Sequence, residues 1–227
     1  MALLGNAALA LWWDVAPDLR REFEDWHAHE HFQERLGIPG FRRASRFTSA
    51  EGGDGFFVLY ELEHYEVLAS PPYAARLNTP TPWSTRMMPH HRNMVRSQCR
   101  VLETHGAVTA RHALTVALSP AVGKADALQR AIGTLARSLR QKPGLVGVHL
   151  LRHETSPLAP TTEQKIRGNG DGVADWVIIA SGYDADALRA LNEAELAEAQ
   201  LQAMGAAPRM ERHLYGLAYS ATPADVC

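Results

Sequence analysis

Two periods govern the apolar positions of this chain. Ala7 to Val15 (AALALWWDV) is an almost continuous apolar run, which predicts a buried strand. After Pro17, which suits the first turn of a helix, Leu19, Phe23 and Trp26 recur at helical spacing up to Gly37, and Pro39 then forbids continuation. Two extended runs come next, FRRASRFTSA and FVLYELEHYEVL (Phe57 to Leu68). A second helix is short, because Pro71, Pro72, Pro80 and Pro82 interrupt it, and a closing strand begins near Met94.

The pattern then repeats. Pro39-Gly40-Phe41 is echoed by Pro143-Gly144-Leu145, an offset of 104 residues (39 to 143), and the first apolar run moved by that offset lands on Arg111 to Ser119. LVGVHLLRHE, WVIIASGYDADA (Trp176 to Ala187) and Met210-Glu-Arg212 match later elements of the first half in order, so duplication is the better explanation. Helices are predicted from about Ala125 to Gln141 and, as one long element, from Ala185 to Met204. The shift in offset comes from Ser156 to Gly172, polar and rich in turn formers, which reads as a long mobile loop over 155–172.

Each half therefore reads βαββαβ, a ferredoxin-like unit with helices on one face of its sheet. The bare face must be covered, and a second copy can cover it. The expected fold class is α+β: two tandem ferredoxin-like repeats, 1–106 and 107–227, whose sheets form one pseudo-dimeric barrel with helices outside.

Composition places the chain among globular proteins. It has 227 residues, 46% hydrophobic and 21% charged, with a net charge of -2. No strongly basic stretch suggests nucleic acid as a partner. The first residues lack a basic region, and no apolar run is long enough to span a bilayer, so neither a signal peptide nor a membrane is expected, and the expected compartment is the cytoplasm. The two cysteines, Cys99 and Cys227, have neither zinc spacing nor a nucleophile context. The glycines between Gly168 and Gly172 are not a phosphate cradle, since no lysine stands at the required spacing.

The motifs carry a resemblance. Trp26-x-x-x-Glu30-His31, Arg35-Leu-x-Ile-Pro-Gly-Phe41, Arg43-x-x-Arg46, Tyr60-Glu-Leu62, the Ser70–Tyr73 stretch and Asn78 to Pro89 (NTPTPWSTRMMP) resemble the dimeric α+β barrel superfamily, within it the EthD-like and related bacterial proteins. The resemblance covers residues 8–104 in motif and 110–222 in architecture only. It implies a small organic ligand held between sheet and helices, often without a metal. The superfamily spans monooxygenases, isomerases, cyclases, dehydratases and haem-handling proteins, so fold does not choose the reaction.

On an ideal helix Leu19, Phe23, Trp26 and Glu30 fall within about 60° of one another, which aims the Glu30 carboxylate inward. It is expected either to be a general acid or base beside His31 and His27, or to pair with Arg43 or Arg46. His27 and His31 have the i, i+4 spacing of a metal pair, but no third ligand can be named. Trp83, Arg86 and His90, on a loop at the sheet edge, suit a ligand rim, with Met87 and Met88 filling the core. Tyr60 and Tyr73 are hydrogen-bond donors for a substrate or packed side chains, and His149 and His213 are candidates to point inward.

The expected function is small-molecule binding with cofactor-independent acid–base chemistry (isomerisation, dehydration, cyclisation or oxygenation) on an aromatic or carbonyl-bearing metabolite. Glu30 and His31 would move protons, and Trp26, His27, Arg46, Tyr60, Trp83, Arg86 and His90 would hold the substrate. All lie in the first repeat, which makes the second mainly structural. No cofactor is expected; haem or a histidine-bound metal is the alternative, as is a non-catalytic ligand-binding protein. The chain is expected to be a monomer or homodimer.

Overall fold

The computed structural model describes residues 3–155, 160–168 and 170–226. The first repeat comprises β1 (Ala7–Asp14), a helix assembled from several segments between Pro17 and Leu36, β2 (Phe41–Ser49), β3 (Gly55–Leu62), α3 (Pro71–Asn78), α4 (Pro82–Met87) and β4 (Arg92–Gly106). The second comprises β5 (His112–Leu118), α5 (Ala125–Leu139), β6 (Leu145–His153), α6 (Thr162–Arg167), β7 (Trp176–Gly182), α7 (Ala185–Glu193), α8 (Glu198–Met204) and β8 (Glu211–Ala221). The first repeat's opening helix contributes α1 (Arg20–Trp26) and α2 (Phe32–Leu36).

The eight strands close in the order β1-β3-β2-β8-β5-β7-β6-β4, every neighbour antiparallel. The long strands join the repeats. β4 pairs with β1 from Asp14↔Arg92 to Ala7↔Arg100, then continues onto β6 from Cys99↔His153 to Gly106↔Gly147. β8 does the reciprocal, pairing with β5 at its start and with β2 over Ala44↔Ala221 to Ser49↔Tyr215. Each repeat lends half a strand to the other, and closure leaves no sheet edge exposed. The two tandem repeats thus form one barrel.

Strand alternation sorts the side chains into separate cores. On β1, Ala8 and Ala10 join Phe57, Leu59, Val177 and Ile179 inside the lumen, while Leu9, Leu11 and Trp13 face the helices of the first repeat. That helix-facing core is rich in aromatics, including Phe23, Trp26, Phe32, Tyr60 and Tyr73. Its counterpart in the second repeat is almost wholly aliphatic, built from residues such as Leu114, Leu128, Ile132 and Leu188.

Two expectations are corrected. The long helix expected over Ala185 to Met204 breaks into α7 and α8. The break buries Leu196 in the aliphatic core and brings Glu195 to Lys142, 2.6 Å away, a tertiary gain that overrides a strong local helix propensity. Within the stretch read as a loop, Thr162–Arg167 is helical, started by a capping box in which Thr161 and Gln164 satisfy each other's backbone. Residues 156–159 and 169 of that stretch lie outside the described residues.

Candidate functional site

The opening helix changes pitch. α1 runs into a π-helical turn over His27–His31, where the Phe32 amide reaches back to the His27 carbonyl, and α2 continues from there. A π turn takes more residues per revolution than an α turn, so every later side chain is rotated relative to the ideal wheel. The buried set is Phe23, Trp26, His27, Phe32, Arg35 and Leu36.

Glu30 is thereby turned aside. Its Oε1 accepts hydrogen bonds from Trp26 Nε1 (3.1 Å), Thr81 Oγ1 (2.5 Å) and Ser84 Oγ (3.3 Å). Thr81 also caps α4, accepting from the Ser84 amide at 3.0 Å. Glu30 therefore fastens the cap of α4 to the opening helix, is half-buried, and does not line the cavity beside it. It also does not meet Arg43 or Arg46: Arg43 pairs with buried Glu61 (2.7 Å), and Arg46 donates to the Glu24 carbonyl (2.9 Å).

What does face the cavity is a set of histidines and charged groups. His27, His31 and His91 line it with Trp26, Tyr60 and Arg35. His27 and His31 stack at 5.1 Å, and Trp13 packs against His91 at 4.9 Å. Burial holds all three imidazoles below their ordinary range, with Arg46 adding to the effect at His27 and Arg35 at His31; for His91 the value falls to about 4. They are neutral near pH 7. His91 Nδ1 lies 3.0 Å from the Met88 carbonyl, so Nδ1 carries the proton and Nε2 keeps a free lone pair.

Several polar atoms in this wall lack a protein partner: His27 Nδ1, His31 Nδ1, Tyr60 Oη and Arg35 Nη1. Such buried orphans are rare in native cores and are expected where a ligand completes them. Burial raises the Tyr60 phenol far above its ordinary value, so it is a donor, not a phenolate. The stacked His27 and His31 rings, 15° from parallel, keep their in-plane lone pairs from converging on one ion. Among the described residues no three His, Cys, Asp or Glu side chains are grouped to hold a metal.

α6 closes the site from the second repeat. Arg35 Nη2 donates to both carboxylate oxygens of Glu163, at 2.6 and 2.7 Å, with both side chains buried. Arg167, on the same helix, lines the cavity and pairs with Asp171 at 2.7 Å. The inner cavity is about 50 Å³. An outer pocket of about 250 Å³ shares His91, Met94 and Arg167 with it.

Of the residues nominated from sequence, Trp26, His27, His31, Tyr60 and Tyr73 come together here. Arg46, Trp83, Arg86 and His90 do not line the cavity. Arg46 lies over the Tyr219 ring, Arg86 is exposed and bound to Glu22 at 2.9 Å, and His90 is exposed. Trp83 packs against the core with an unpartnered Nε1. His91, Arg35, Glu163 and Arg167 were missed. His91 is adjacent to the nominated His90, but a short 3-10 turn, Met88–His90, decides which of the two points inward. The partner of Arg35 stands 128 positions away.

No family model matches the chain, and no curated protein matches it. Solved structures do. An anthrone oxidase-like protein is similar with a TM-score of 0.64 at 13% identity, covering 100% of this chain and 98% of its own. A candidate monooxygenase of Fusobacterium nucleatum gives 0.61 at 10% identity, covering 97% and 96%. A haem-binding protein of Thermus thermophilus gives 0.54 at 10% identity, covering 96% and 94%. At such identities the likeness shows the fold: the dimeric α+β barrel, here within one chain. No helix of the described residues is long and apolar enough to cross a membrane.

Proposed function

We propose that the histidine cavity, built on the first repeat and closed by α6 of the second, binds a small aromatic or carbonyl-bearing molecule and removes a proton from it, with His91 as the base. The observation that supports this is the 3.0 Å approach of His91 Nδ1 to the Met88 carbonyl, which assigns the proton to Nδ1 and leaves Nε2 a neutral lone pair, on a ring that lines both the inner cavity and the outer pocket. A substrate in the outer pocket reaches this nitrogen; Arg35 Nη1 and Tyr60 Oη, both without partners, are the donors for the oxygen on which negative charge develops. With a pKa near 4, His91 is a modest base. The substrate therefore supplies the acidity itself, as phenols, anthrones and β-dicarbonyls do. The resulting enolate or phenolate is set up for isomerisation, dehydration, cyclisation or reaction with oxygen. Anthrone oxidase-like and monooxygenase-like neighbours share the fold and agree with that range.

Haem is the cofactor other proteins of this fold handle, and the groups here do not fit it. The space beside His27, His31 and His91 is about 50 Å³, and the Arg35–Glu163 pair closes one side. The inner and outer spaces together are at the lower end of small-molecule sites, about 300 Å³, which suits one or two rings but not a tetrapyrrole. A cytoplasmic compartment and a monomer or homodimer belong to the same proposal; that one chain closes the barrel supports the monomer.

The test is a turnover screen of phenols, anthrones and β-dicarbonyls, read by absorbance with and without oxygen, on the protein and on His91→Phe. Consumption by the protein and a loss of about 100-fold or more in the variant are expected. Equal turnover in the variant, or a Soret band forming at one equivalent of added haem, overturns the proposal.

A further inference from the structure

At the end of the barrel where β1, β2 and β5 finish and β3, β4 and β8 begin, the lumen opens into a second cavity, of about 300 Å³. We propose that this opening is a binding site for a small organic ammonium, separate from the histidine cavity and independent of its chemistry.

Its floor is aromatic. The Trp12 indole crosses the lumen, its Nε1 donating to Thr115 Oγ1 at 3.4 Å. It stacks on Phe57 at 5.1 Å, and Phe57 meets Tyr215 at 5.6 Å. The rim is acidic. Asp14 and Glu211 line the opening, Asp14 receiving a hydrogen bond from Asn93 Nδ2 at 2.8 Å. Among the described residues neither carboxylate has a lysine or arginine at ion-pair distance, and no lysine or arginine lines the cavity. The negative field is felt at Tyr215: burial first, then Asp14, Glu211 and Glu51 push its phenol well above the ordinary value. Trp13, 4% exposed and packed on its other side against the helices of the first repeat, completes the aromatic wall.

Aromatic faces attract cations through their quadrupole, and unpaired carboxylates at the mouth of a low-dielectric hollow attract them further. An anion would lose on both counts. The histidine cavity is of another kind: Arg35 and Arg167 line it already paired, with Glu163 and Asp171. Trp13 borders both spaces, so the two sites are back to back.

The probe is benzyltrimethylammonium, monitored by tryptophan fluorescence and calorimetry, with phenylacetate and benzyl alcohol as anionic and neutral counterparts. Saturable one-to-one binding is expected, at least tenfold tighter than either counterpart. The near-isosteric double variant D14N/E211Q should weaken it at least fivefold while circular dichroism shows a native fold. The bulky Ala117→Trp should abolish it, and His91→Phe should leave it unchanged. Equal affinity for phenylacetate, non-saturating binding, or wild-type affinity in the double variant overturns the proposal. None of these outcomes bears on the proton chemistry assigned to His91, and loss of turnover in His91→Phe leaves this site untouched.

Discussion

Arg35 and Glu163 come from different repeats, yet the guanidinium of one holds both oxygens of the other within 2.7 Å in a buried setting. Burial alone would discourage the charge on Arg35; the Glu163 carboxylate overcomes this and holds the guanidinium above its ordinary value. Removing one partner of such a pair ordinarily costs about 3–5 kcal/mol. α6 is only six residues long, and if it undocks in the variant, water reaches Arg35 and the loss is capped. Glu163→Gln is therefore expected to lower global stability by less than that range and to open the site. Hydrogen exchange over residues 160–168 should quicken markedly while the barrel strands stay protected. Uniform loss of protection across the barrel would show instead that α6 is part of the cooperative core.

The buried histidines make stability depend on pH in a definite direction. His27, His31 and His91 have folded-state values below the ordinary 6.5, so the unfolded chain binds protons more readily. Their contribution is fully present above about pH 6.5 and is lost as pH falls toward their folded values. His91, at about 4, accounts for up to about 3 kcal/mol of this. Urea melts should hold a steady midpoint from pH 8 to pH 7 and fall steeply between pH 6 and pH 4. Replacing His91 by Phe should flatten part of that fall. The acid limb of kcat/KM should likewise lie near pH 4 rather than 6.5, because the free enzyme's base sets it.

Glu30 separates a structural carboxylate from a catalytic one. One of its oxygens takes all three donors, from Trp26, Thr81 and Ser84. Glu30→Gln keeps an acceptor in that position and is expected to cost under about 1 kcal/mol. Glu30→Ala removes the acceptor of the Thr81 and Ser84 hydroxyls, while Trp26 Nε1 keeps Ser84 Oγ at 3.2 Å, and should cost about 2–3 kcal/mol, read from denaturant midpoints. Both variants should retain turnover of any identified substrate within about tenfold. A loss of 100-fold in Glu30→Gln with unchanged stability would return the acid–base role to this residue.

The sequence was legible where local rules and tertiary structure agree. The Pro-Gly turns mark equivalent points of the two repeats because both glycines adopt a left-handed conformation, φ 95° at Gly40 and 89° at Gly144, beside a packed neighbour. The strands were visible because their period of two survives in the barrel. The candidate site was half legible for one physical reason. The wheel that aimed Glu30 inward assumes a uniform pitch, and the π turn at His27–His31 rotates the side chains beyond it, trading a carboxylate for His31 and Arg35. No residue pattern in HAHEH announces such a turn. Likewise Thr162–Arg167 sits among turn formers, and its reason for being helical is the buried Arg35 it serves from across the chain.

The exchange of β4 between repeats rests on a close backbone approach, and that gives a last test. Gly106 ends β4 with φ 79°, opposite Gly147, and a Cβ there would stand 2.0 Å from the Val146 carbonyl oxygen. Gly52, in the hairpin between β2 and β3, has a similar φ of 82° but open space around it. Alanine at Gly52 meets only the intrinsic penalty of the left-handed region, about 1–2 kcal/mol. Alanine at Gly106 meets that penalty and a collision with backbone that cannot swing away, since it belongs to the neighbouring strand. Gly106→Ala is expected to cost at least about 4 kcal/mol, in the range reserved for severe core defects. Chemical denaturation of the two variants reads the difference directly. If Gly106→Ala were no worse than Gly52→Ala, the backbone at the β4–β6 crossing would have to be able to move apart, and the single closed barrel, with the α6 contact that depends on it, would lose its rigid junction.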